Sequence, residues 1–275
     1  MRRPQIAGRV TVQRPTLFHL CLSGKTYTIL LGEAIGLFLK RGITPSLAMK
    51  ISSVFELLRK VDIVKTVYFN FHYFPIKTAI KLPFFIYWRS ELFKMKGKII
   101  LDTPVKPGLV RFGIHGLGTQ DILYSRTMWE VGGTLVIKGH VSIGRGSKVS
   151  IGNDNAKLTL GNNFTITGNS EIICQKEISF GDDCLLSWDI LIMDTDFHKV
   201  LNPEGKVSNS PKPITIGNHV WIGCRNTILK GVTIGDNNII SANSTITKSV
   251  LESNCAIGGH GKDAEVLKRN IGWEQ

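Results

Sequence analysis

A repeating six-residue pattern constrains the fold of this chain more than any other feature of its sequence. Between residues 213 and 246, isoleucine occupies every sixth position, at Ile216, Ile222, Ile228, Ile234, Ile240 and Ile246. This period fits neither an amphipathic helix nor a simple alternating strand. It is typical of a parallel β-helix, in which short strands alternate with turns and every sixth side chain points into one continuous core. The sequence therefore predicts a mainly β solenoid.

The same period extends towards the N-terminus, with one predicted interruption. The apolar positions that continue it are Ile137, Ile143, Ile151, Leu160, Ile166, Ile172, Phe180, Leu186 and Ile192. Between residues 192 and 216 the phase is kept, but the core positions become His198, Glu204 and Ser210. Polar side chains of this kind would not fill an apolar interior without a penalty in free energy. Residues of about 196–213 are therefore predicted to leave the solenoid as an extended loop.

Two stretches of the repeat and a following dipeptide resemble a known enzyme family. They read Pro213-Ile-Thr-Ile-Gly-Asn-His-Val-Trp-Ile-Gly, Gly231-Val-Thr-Ile-Gly-Asp-Asn and Thr247-Lys248. They are similar to the hexapeptide-repeat O-acetyltransferases. The resemblance is greatest to those that act on sugars, namely the galactoside and maltose acetyltransferases and the transferases that decorate capsular and lipopolysaccharide glycans. It covers residues of about 130–260.

This resemblance implies a left-handed parallel β-helix, with acetyl-coenzyme A (acetyl-CoA) as the donor. The reaction would be direct transfer of acetyl to a hydroxyl of a sugar or of a cell-surface polysaccharide precursor. The resemblance also implies a homotrimer with active sites between adjacent β-helices, and closed symmetry would let donor and base converge from two faces. The alternative is a non-catalytic β-helix that serves as a binding or assembly platform.

The candidate catalytic residues lie at the start of the predicted loop, in the segment Asp194-Thr-Asp-Phe-His198. O-acyl transfer needs a base that removes the proton of the attacking hydroxyl, and imidazole titrates near neutral pH. In the resembling acetyltransferases a His of the corresponding loop is this base, so the role falls on His198. A nearby carboxylate could hold the tautomer of the imidazole and favour the imidazolium. Asp196 is favoured over Asp194 for this task, although either could instead contact the acceptor or occupy a corner.

The residues expected to bind the donor lie on the coils after the loop. Trp221 precedes a core isoleucine and should face outward, which is costly for an indole unless it packs on a neighbour or a ligand. The resemblance implies that Trp221 lines the donor site and that the backbone N–H of Cys224 stabilises the oxyanion. It also implies that Ala242, Thr247 and Lys248 contact coenzyme A, with Lys248 near the phosphates. A nucleophilic role for Cys224 is disfavoured, because the family uses direct transfer.

A zinc carbonic anhydrase is a second enzyme class on this scaffold. Its metal needs three histidines, and no second histidine lies within a few residues of His198. The five cysteines are scattered and form no C-x-x-C pair, which argues against a disulfide framework or a thiolate zinc site. The sequence therefore predicts no metal. It also shows no apolar signal segment after Met1, so we expect the cytoplasm as the compartment.

The C-terminus departs from the family pattern. Relatives commonly close with Gly-x-Pro-Ala and a basic residue, whereas this chain reads Gly261-Lys-Asp-Ala-Glu. The basic residue that contacts the nucleotide could therefore be Lys262, Lys268 or Arg269. Residues 261–275 are predicted as a C-terminal cap, in which 264–273 form a short terminal helix or cap, because the end of a β-helix exposes a strand edge.

The excess positive charge lies entirely in the N-terminal part of the chain. Residues 1–100 hold 17 Lys and Arg against 4 Asp and Glu, while residues 101–275 hold 17 of each. Residues 1–100 are predicted as a basic, partly helical segment, with helices near 27–39 and 46–60. No nucleic-acid-binding motif accompanies the charge.

The β-helix domain is predicted to span 101–260, and residues 60–100 in front of it combine aromatic with cationic side chains. Such a mixture suits the headgroup level of a membrane, and a lipid-linked acceptor would place the protein at the inner face of the cell membrane. The same aromatic residues could instead cover the end or the side of the β-helix. The sequence leaves these two interpretations open.

Overall fold

The computed structural model describes residues 60–274, except 115–117, 119–120 and 122–123. The helices predicted near 27–39 and 46–60 lie outside the described residues, apart from Lys60. Within the described residues, α1 spans Ile63–Tyr73 and α2 spans Ile76–Ala79. Neither is long and apolar enough to cross a bilayer, and the same holds for every helix that the structure describes.

Three sheets form the faces of a left-handed parallel β-helix, as predicted. In the described residues, the first sheet contains β1 (Phe84–Ile86), β4 (Val110–Ile114), β7 (Val141–Gly144), β10 (Phe164–Gly168), β13 (Leu185–Trp188), β16 (Trp221–Ile222), β19 (Ile239–Ile240), β21 (Cys255–Gly258) and β23 (Glu265–Arg269). The second contains β2 (Ser90–Met95), β5 (Thr127–Val131), β8 (Lys148–Ile151), β11 (Glu171–Cys174), β14 (Leu191–Met193), β17 (Thr227–Leu229), β20 (Thr245–Ile246) and β22 (His260–Gly261). The third contains β3 (Lys98–Leu101), β6 (Thr134–Ile137), β9 (Lys157–Leu160), β12 (Glu177–Phe180), β15 (Ile214–Ile216) and β18 (Thr233–Ile234). Each coil visits the three sheets in this order.

The positions of the six-residue period fill a continuous apolar core. The six isoleucines of 216–246 and the nine apolar residues that continue the pattern upstream are all 3% exposed or less. The strand register places Ile228 against Ile192 in the preceding coil and against Ile246 in the following coil. Similar side chains therefore stack along the axis, so the core prediction is confirmed residue by residue.

Asn and Asp side chains hold the corner between the third and first sheets. Side-chain oxygens of successive coils accept backbone N–H groups there, in the pairs His140 to Asn162 (3.0 Å), Asn162 to Asp182 (2.7 Å), Asp182 to Asn218 (2.9 Å) and Asn218 to Asp236 (2.6 Å). The residues that follow, Asn163, Asp183, His219 and Asn237, all have φ between 53° and 56°. Asn, Asp and His adopt this left-handed conformation more readily than other residues that carry a Cβ. Each corner thus combines a tight turn with a hydrogen bond to the next coil.

The first coil of the β-helix begins at Phe84, so the predicted boundary at residue 101 is wrong. Its strands β1, β2 and β3 pair in parallel with β4, β5 and β6. Helix α1 packs against this coil, and the ring of Phe69 lies 4.8 Å from that of Phe84 and 4.9 Å from that of Trp129. All three rings are buried. The six-residue spacing is lost here because the core positions in register with Ile137, Ile143 and Ile151 lie at unequal intervals, at Ile86, Met95, Leu101, Phe112 and Val131.

The C-terminal segment is a strand, which corrects the helical alternative for residues 264–273. Strand β23 (Glu265–Arg269) pairs in antiparallel fashion with β21. The guanidinium Nε of Arg269 donates to Glu252 at 2.7 Å. The residues Glu-Val-Leu-Lys-Arg have good helix propensity, but the edge of β21 presents N–H and C=O groups that an added strand can pair and a helix cannot. Capping of the terminal coil therefore takes place by strand addition.

Candidate active site

The predicted loop leaves the β-helix between β14, which ends at Met193, and β15, which begins at Ile214. His198 is exposed on this loop and lines a cleft of about 390 Å³. The same cleft is lined by Asn153 and Gln175, corner residues of the two preceding coils, whose side chains hydrogen bond to each other at 3.0 Å. Among the described residues, the imidazole of His198 has no hydrogen-bond partner. Both ring nitrogens are therefore available to a substrate hydroxyl and to water.

The backbone of His198 is fixed by a small polar network. Its N–H donates to the carbonyl of Asp196 (2.7 Å), and its carbonyl accepts from Nδ2 of Asn209 (2.8 Å). The same Nδ2 donates to the carboxylate of Asp196 at 2.8 Å. Lys230 of the next coil donates its ammonium to this carboxylate and to the carbonyl of Asn209. The two ends of the loop are thus tied to each other and to the solenoid.

Hydrogen bonds from Lys230 and then from Asn209 lower the pKa of Asp196 below its usual value. The carboxylate is therefore ionised at neutral pH and acts as the acceptor at the centre of the network. It contacts the backbone side of His198, and no bond to the imidazole is formed within the described residues. The expectation that Asp196 holds the imidazole tautomer is not reflected in this geometry. Asp196 instead fixes the position of the loop.

Asp194 is turned away from the cleft into a buried corner. Its carboxylate accepts the backbone N–H groups of Gln175 (2.7 Å), Lys176 (2.7 Å) and Glu177 (2.8 Å), and the residue is fully buried. Beside it, burial first and the Asp194 charge second raise the pKa of the Cys174 thiol to about 12. Asp194 is therefore a corner residue of the solenoid, one of the alternatives that the sequence left open, rather than a partner of His198.

Lys230 and Asn209 were missed by the sequence reasoning. Strand pairing could have indicated Lys230: Ile192 pairs with Ile228, so the residues two positions later lie in neighbouring coils at the same corner. The part that Asn209 plays depends on how the loop folds back on itself. No periodicity within the loop reports that path.

The backbone of Cys224 meets a requirement of an oxyanion site. Cys224 and Ala242 occupy equivalent positions in successive coils, at the corner between the first and second sheets. The carbonyl of Cys224 accepts from the N–H of Asn243 at 2.9 Å. The N–H groups of Cys224 and Ala242 themselves have no partner among the described residues. Two unpaired donors therefore project from this corner.

Trp221 lies beside Trp273 of the C-terminal segment. Its indole Nε1 donates to Ser187 at 3.1 Å, and its ring centroid lies 6.1 Å from that of Trp273. Trp273 stacks on His219 with a centroid distance of 4.4 Å and an interplanar angle of 7°, and its Nε1 donates to the His219 carbonyl at 3.0 Å. The C-terminal segment thus covers part of the outward surface around Trp221.

Thr247 and Lys248 lie at the corner between the second and third sheets, on the coil after Lys230. Both are exposed, and Nζ of Lys248 donates to the carbonyl of Lys262 at 2.6 Å. Lys262 is therefore brought next to Lys248, whereas Arg269 is engaged with Glu252. Of the three C-terminal basic candidates, Lys262 is the one that contacts Lys248 directly.

The candidate residues form two groups at opposite edges of the second sheet. His198 and Lys248 belong to its corner with the third sheet, and Cys224 and Ala242 to its corner with the first. One β-helix therefore presents His198 and the free backbone N–H groups of Cys224 and Ala242 on different corners. In the part of the chain that the structure describes, no group of three His, Cys, Asp or Glu side chains is placed to hold a metal ion.

Comparisons with known proteins agree with this architecture. Residues 213–248 match the family model described as bacterial transferase hexapeptide (six repeats). A polysialic acid O-acetyltransferase of Escherichia coli O1:K1 / APEC is 32% identical over 139 residues, which cover 50% of this chain and 41% of the relative. The galactoside O-acetyltransferase of Escherichia coli (strain K12) is 35% identical over 105 residues, which cover 38% of this chain and 51% of the relative. The chain thus spans about half the length of these curated relatives.

Among solved structures, a polySia specific acetyltransferase is 25% identical with a TM-score of 0.41, over 68% of this chain and 72% of that one. A galactoside acetyltransferase in complex with coenzyme A is 20% identical with a TM-score of 0.36, over 80% of this chain and 90% of that one. The relation to known proteins rests on the family model and on the two relatives identified by sequence. They identify residues 213–248 as bacterial transferase hexapeptide repeats and confirm the resemblance of this chain to the hexapeptide-repeat O-acetyltransferases.

Proposed function

We propose that this protein is an acetyl-CoA-dependent O-acetyltransferase that modifies a hydroxyl of a sugar or of a cell-surface polysaccharide precursor. The observation that carries the proposal is the position of His198, whose imidazole lines a cleft on the loop directly before the matched repeats. The relatives named as polysialic acid and galactoside O-acetyltransferases support a sugar or glycan hydroxyl as the acceptor.

In the proposed reaction, the imidazole of His198 removes the proton of the acceptor hydroxyl as its oxygen attacks the thioester carbonyl. The new C–O bond forms, and the carbonyl becomes a tetrahedral oxyanion. When this intermediate collapses, the C–S bond breaks and the imidazolium returns its proton to the sulfur. Coenzyme A leaves as the thiol, and the acetyl ester remains on the sugar. The Asp196–Asn209–Lys230 network contributes by holding the backbone of His198 in place.

The oxyanion needs a donor that is already oriented and is not engaged elsewhere. The N–H of Cys224 meets this condition among the described residues, and that of Ala242 lies one coil further on. Trp221 would flank the donor, while Thr247 and Lys248 would contact its more polar end. As a compact positive charge, Lys248 suits a phosphate.

We further propose that the active site forms between neighbouring copies in a homotrimer. The base and the oxyanion donor lie on different corners of one β-helix, so a second copy can bring His198 of one chain against Cys224 of the next. A closed three-fold ring would repeat this contact three times and leave no unpaired surface. Measurement of the molecular mass in solution by light scattering checks the trimer directly.

A lipid-linked acceptor would place the enzyme in the cytoplasm, at the inner face of the cell membrane. The basic and aromatic residues of 60–100 support such a peripheral contact, because cationic side chains are attracted to anionic headgroups. This part of the proposal is independent of the chemistry at His198.

Isothermal titration with acetyl-CoA tests the donor site without knowledge of the acceptor. We expect the wild type and His198→Ala to bind with similar Kd, because the base does not contact the donor in the ground state. Trp221→Ala and Lys248→Ala should each weaken binding by about tenfold, which corresponds to about 1.4 kcal/mol. Lys138→Ala, which removes an exposed lysine at a different corner, is the matched control. Absence of binding to the wild type at millimolar donor would overturn the proposal in favour of a binding platform.

A further inference from the structure

An apolar stripe runs along the outward side of α1. Its members are all exposed, with Val64 at 80%, and are Ile63, Val64, Val67, Tyr68 and Phe71. This spacing places them on one side of a helix. The opposite side carries the buried residues Thr66, Phe69 and Asn70. A surface helix normally shows the reverse distribution, with its polar side towards water.

Helix α2 follows α1 in the chain and adds exposed apolar side chains and positive charge. Ile76 and Ile80 are 71% and 63% exposed, and Lys77 and Lys81 beside them are exposed as well. The only acidic residue between 60 and 81 is Asp62, which is buried and accepts the backbone N–H of Lys65 as the N-cap of α1. The surface formed by α1 and α2, here called the end face, is therefore apolar and cationic without an exposed carboxylate.

We infer that the end face docks on an anionic lipid surface. Exposed aliphatic and aromatic side chains can enter the headgroup region while neighbouring lysines remain at the level of the phosphates. Charge argues against two other occupants. Residues 1–59 of this chain hold 9 Lys and Arg against 2 Asp and Glu, so they carry the same sign as the end face. A second copy of the end face would also bring like charges together.

The buried contacts of α1 show which aromatic residues are free for this task. Phe69 packs on Tyr73 and Phe84, and all three rings pack on Trp129 of β5. Tyr68 and Phe71 take no part in that cluster and remain exposed. The buried aromatic residues of α1 therefore cover the β-helix, and the exposed ones are those available for contact with lipid. The inference deepens the proposed membrane contact of residues 60–100, and lipid binding can be measured without any acetyl transfer.

Co-sedimentation of the full-length protein with vesicles tests the inference. The vesicles are phosphatidylcholine alone, or phosphatidylcholine mixed with phosphatidylglycerol. We expect sedimentation with the mixed vesicles at low salt and its decline at higher salt, because exposed charges are screened over about 8 Å at physiological ionic strength. The double variant Val64→Glu/Ile76→Glu should stay in the supernatant. Leu251→Glu, at an equally exposed leucine far along the chain, should sediment like the wild type.

Three results would overturn the inference. The first is a wild type that remains in the supernatant at low salt, since residues 1–59 or another part of the chain would then cover the stripe. The second is equal sedimentation of Val64→Glu/Ile76→Glu and the wild type. The third is a change of oligomeric state in that variant without vesicles, which would make the end face a contact between copies. Donor binding by the same variant, measured by titration, separates failure of this inference from failure of the proposed enzyme.

Discussion

Replacement of Asp194 by alanine should destabilise the β-helix strongly and should affect catalysis only through the fold. The carboxylate is fully buried and accepts three backbone N–H groups at 2.7 to 2.8 Å, from Gln175, Lys176 and Glu177. Hydrogen bonds to a charged group contribute about 1.5–3 kcal/mol each. The three are not additive, because they share one acceptor and water can enter the vacated space. We therefore expect a loss of about 3–5 kcal/mol in the free energy of unfolding.

This loss is measurable by urea unfolding followed by far-UV circular dichroism. For a domain of this size it corresponds to a fall in Tm of about 6–20 °C. Asp194→Asn keeps the size and one acceptor oxygen, so its effect should lie between those of the wild type and the alanine variant. Asp196→Ala is the matched control, since it removes a carboxylate that is paired at the surface, and such pairs contribute about 0–1 kcal/mol.

The opposite pattern would refute the reasoning. Asp194→Ala could unfold within about 1 kcal/mol of the wild type and still lose acetyl transfer. In that case the carboxylate of Asp194 would support His198 in the reaction, and its hydrogen bonds to the backbone of residues 175–177 would not be its main role.

Three further predictions concern the oxyanion donor, the loop anchor and the core. Cys224→Ala should retain acetyl transfer, whereas Cys224→Pro, which lacks the N–H, should lower kcat by about 10²–10³-fold; loss in the alanine variant would indicate a nucleophilic thiol. Lys230→Met should raise the pKa of Asp196 towards its ordinary value and make the loop of residues 196–213 more sensitive to limited proteolysis at neutral pH. In the wild type the pKa of Asp196 in the folded protein is lowered, so the protection of the loop against protease is present above the ordinary pKa of Asp and is lost as the pH falls through the lowered pKa. If Lys230→Met left the protease sensitivity of the loop unchanged, Lys230 would not anchor the loop. Ile228→Ala should cost about 2–5 kcal/mol in urea unfolding, and the partly exposed Ile239→Ala clearly less; equal costs would contradict the inward orientation of the repeat.

The sequence predicted the core because isoleucines at a six-residue spacing mark the position in each strand that faces the interior. It also located the loop, since His198, Glu204 and Ser210 occupy positions where the period demands apolar side chains. Both signals depend on the contrast between burial and solvent, which a single sequence shows directly.

The ends of the β-helix and the neighbours of His198 could not be read in the same way. At the N-terminal end, connections of unequal length separate the core positions Ile86, Met95, Leu101, Phe112 and Val131, so the six-residue spacing is lost. At the C-terminal end, the backbone of β21 selects a strand that local propensity does not favour. The two carboxylates of Asp194 and Asp196 look equivalent in sequence, and only the backbone N–H groups around Asp194 separate them.

The most direct test of the account is the release of coenzyme A thiol from acetyl-CoA in the presence of a panel of sugar and glycan acceptors. The wild type and His198→Ala should be compared at donor concentrations that saturate both. We expect acceptor-dependent release by the wild type and a fall of about 10²–10⁴-fold in kcat for the variant, with unchanged donor Kd. Equal rates for the two proteins would contradict the assignment of His198 as the base.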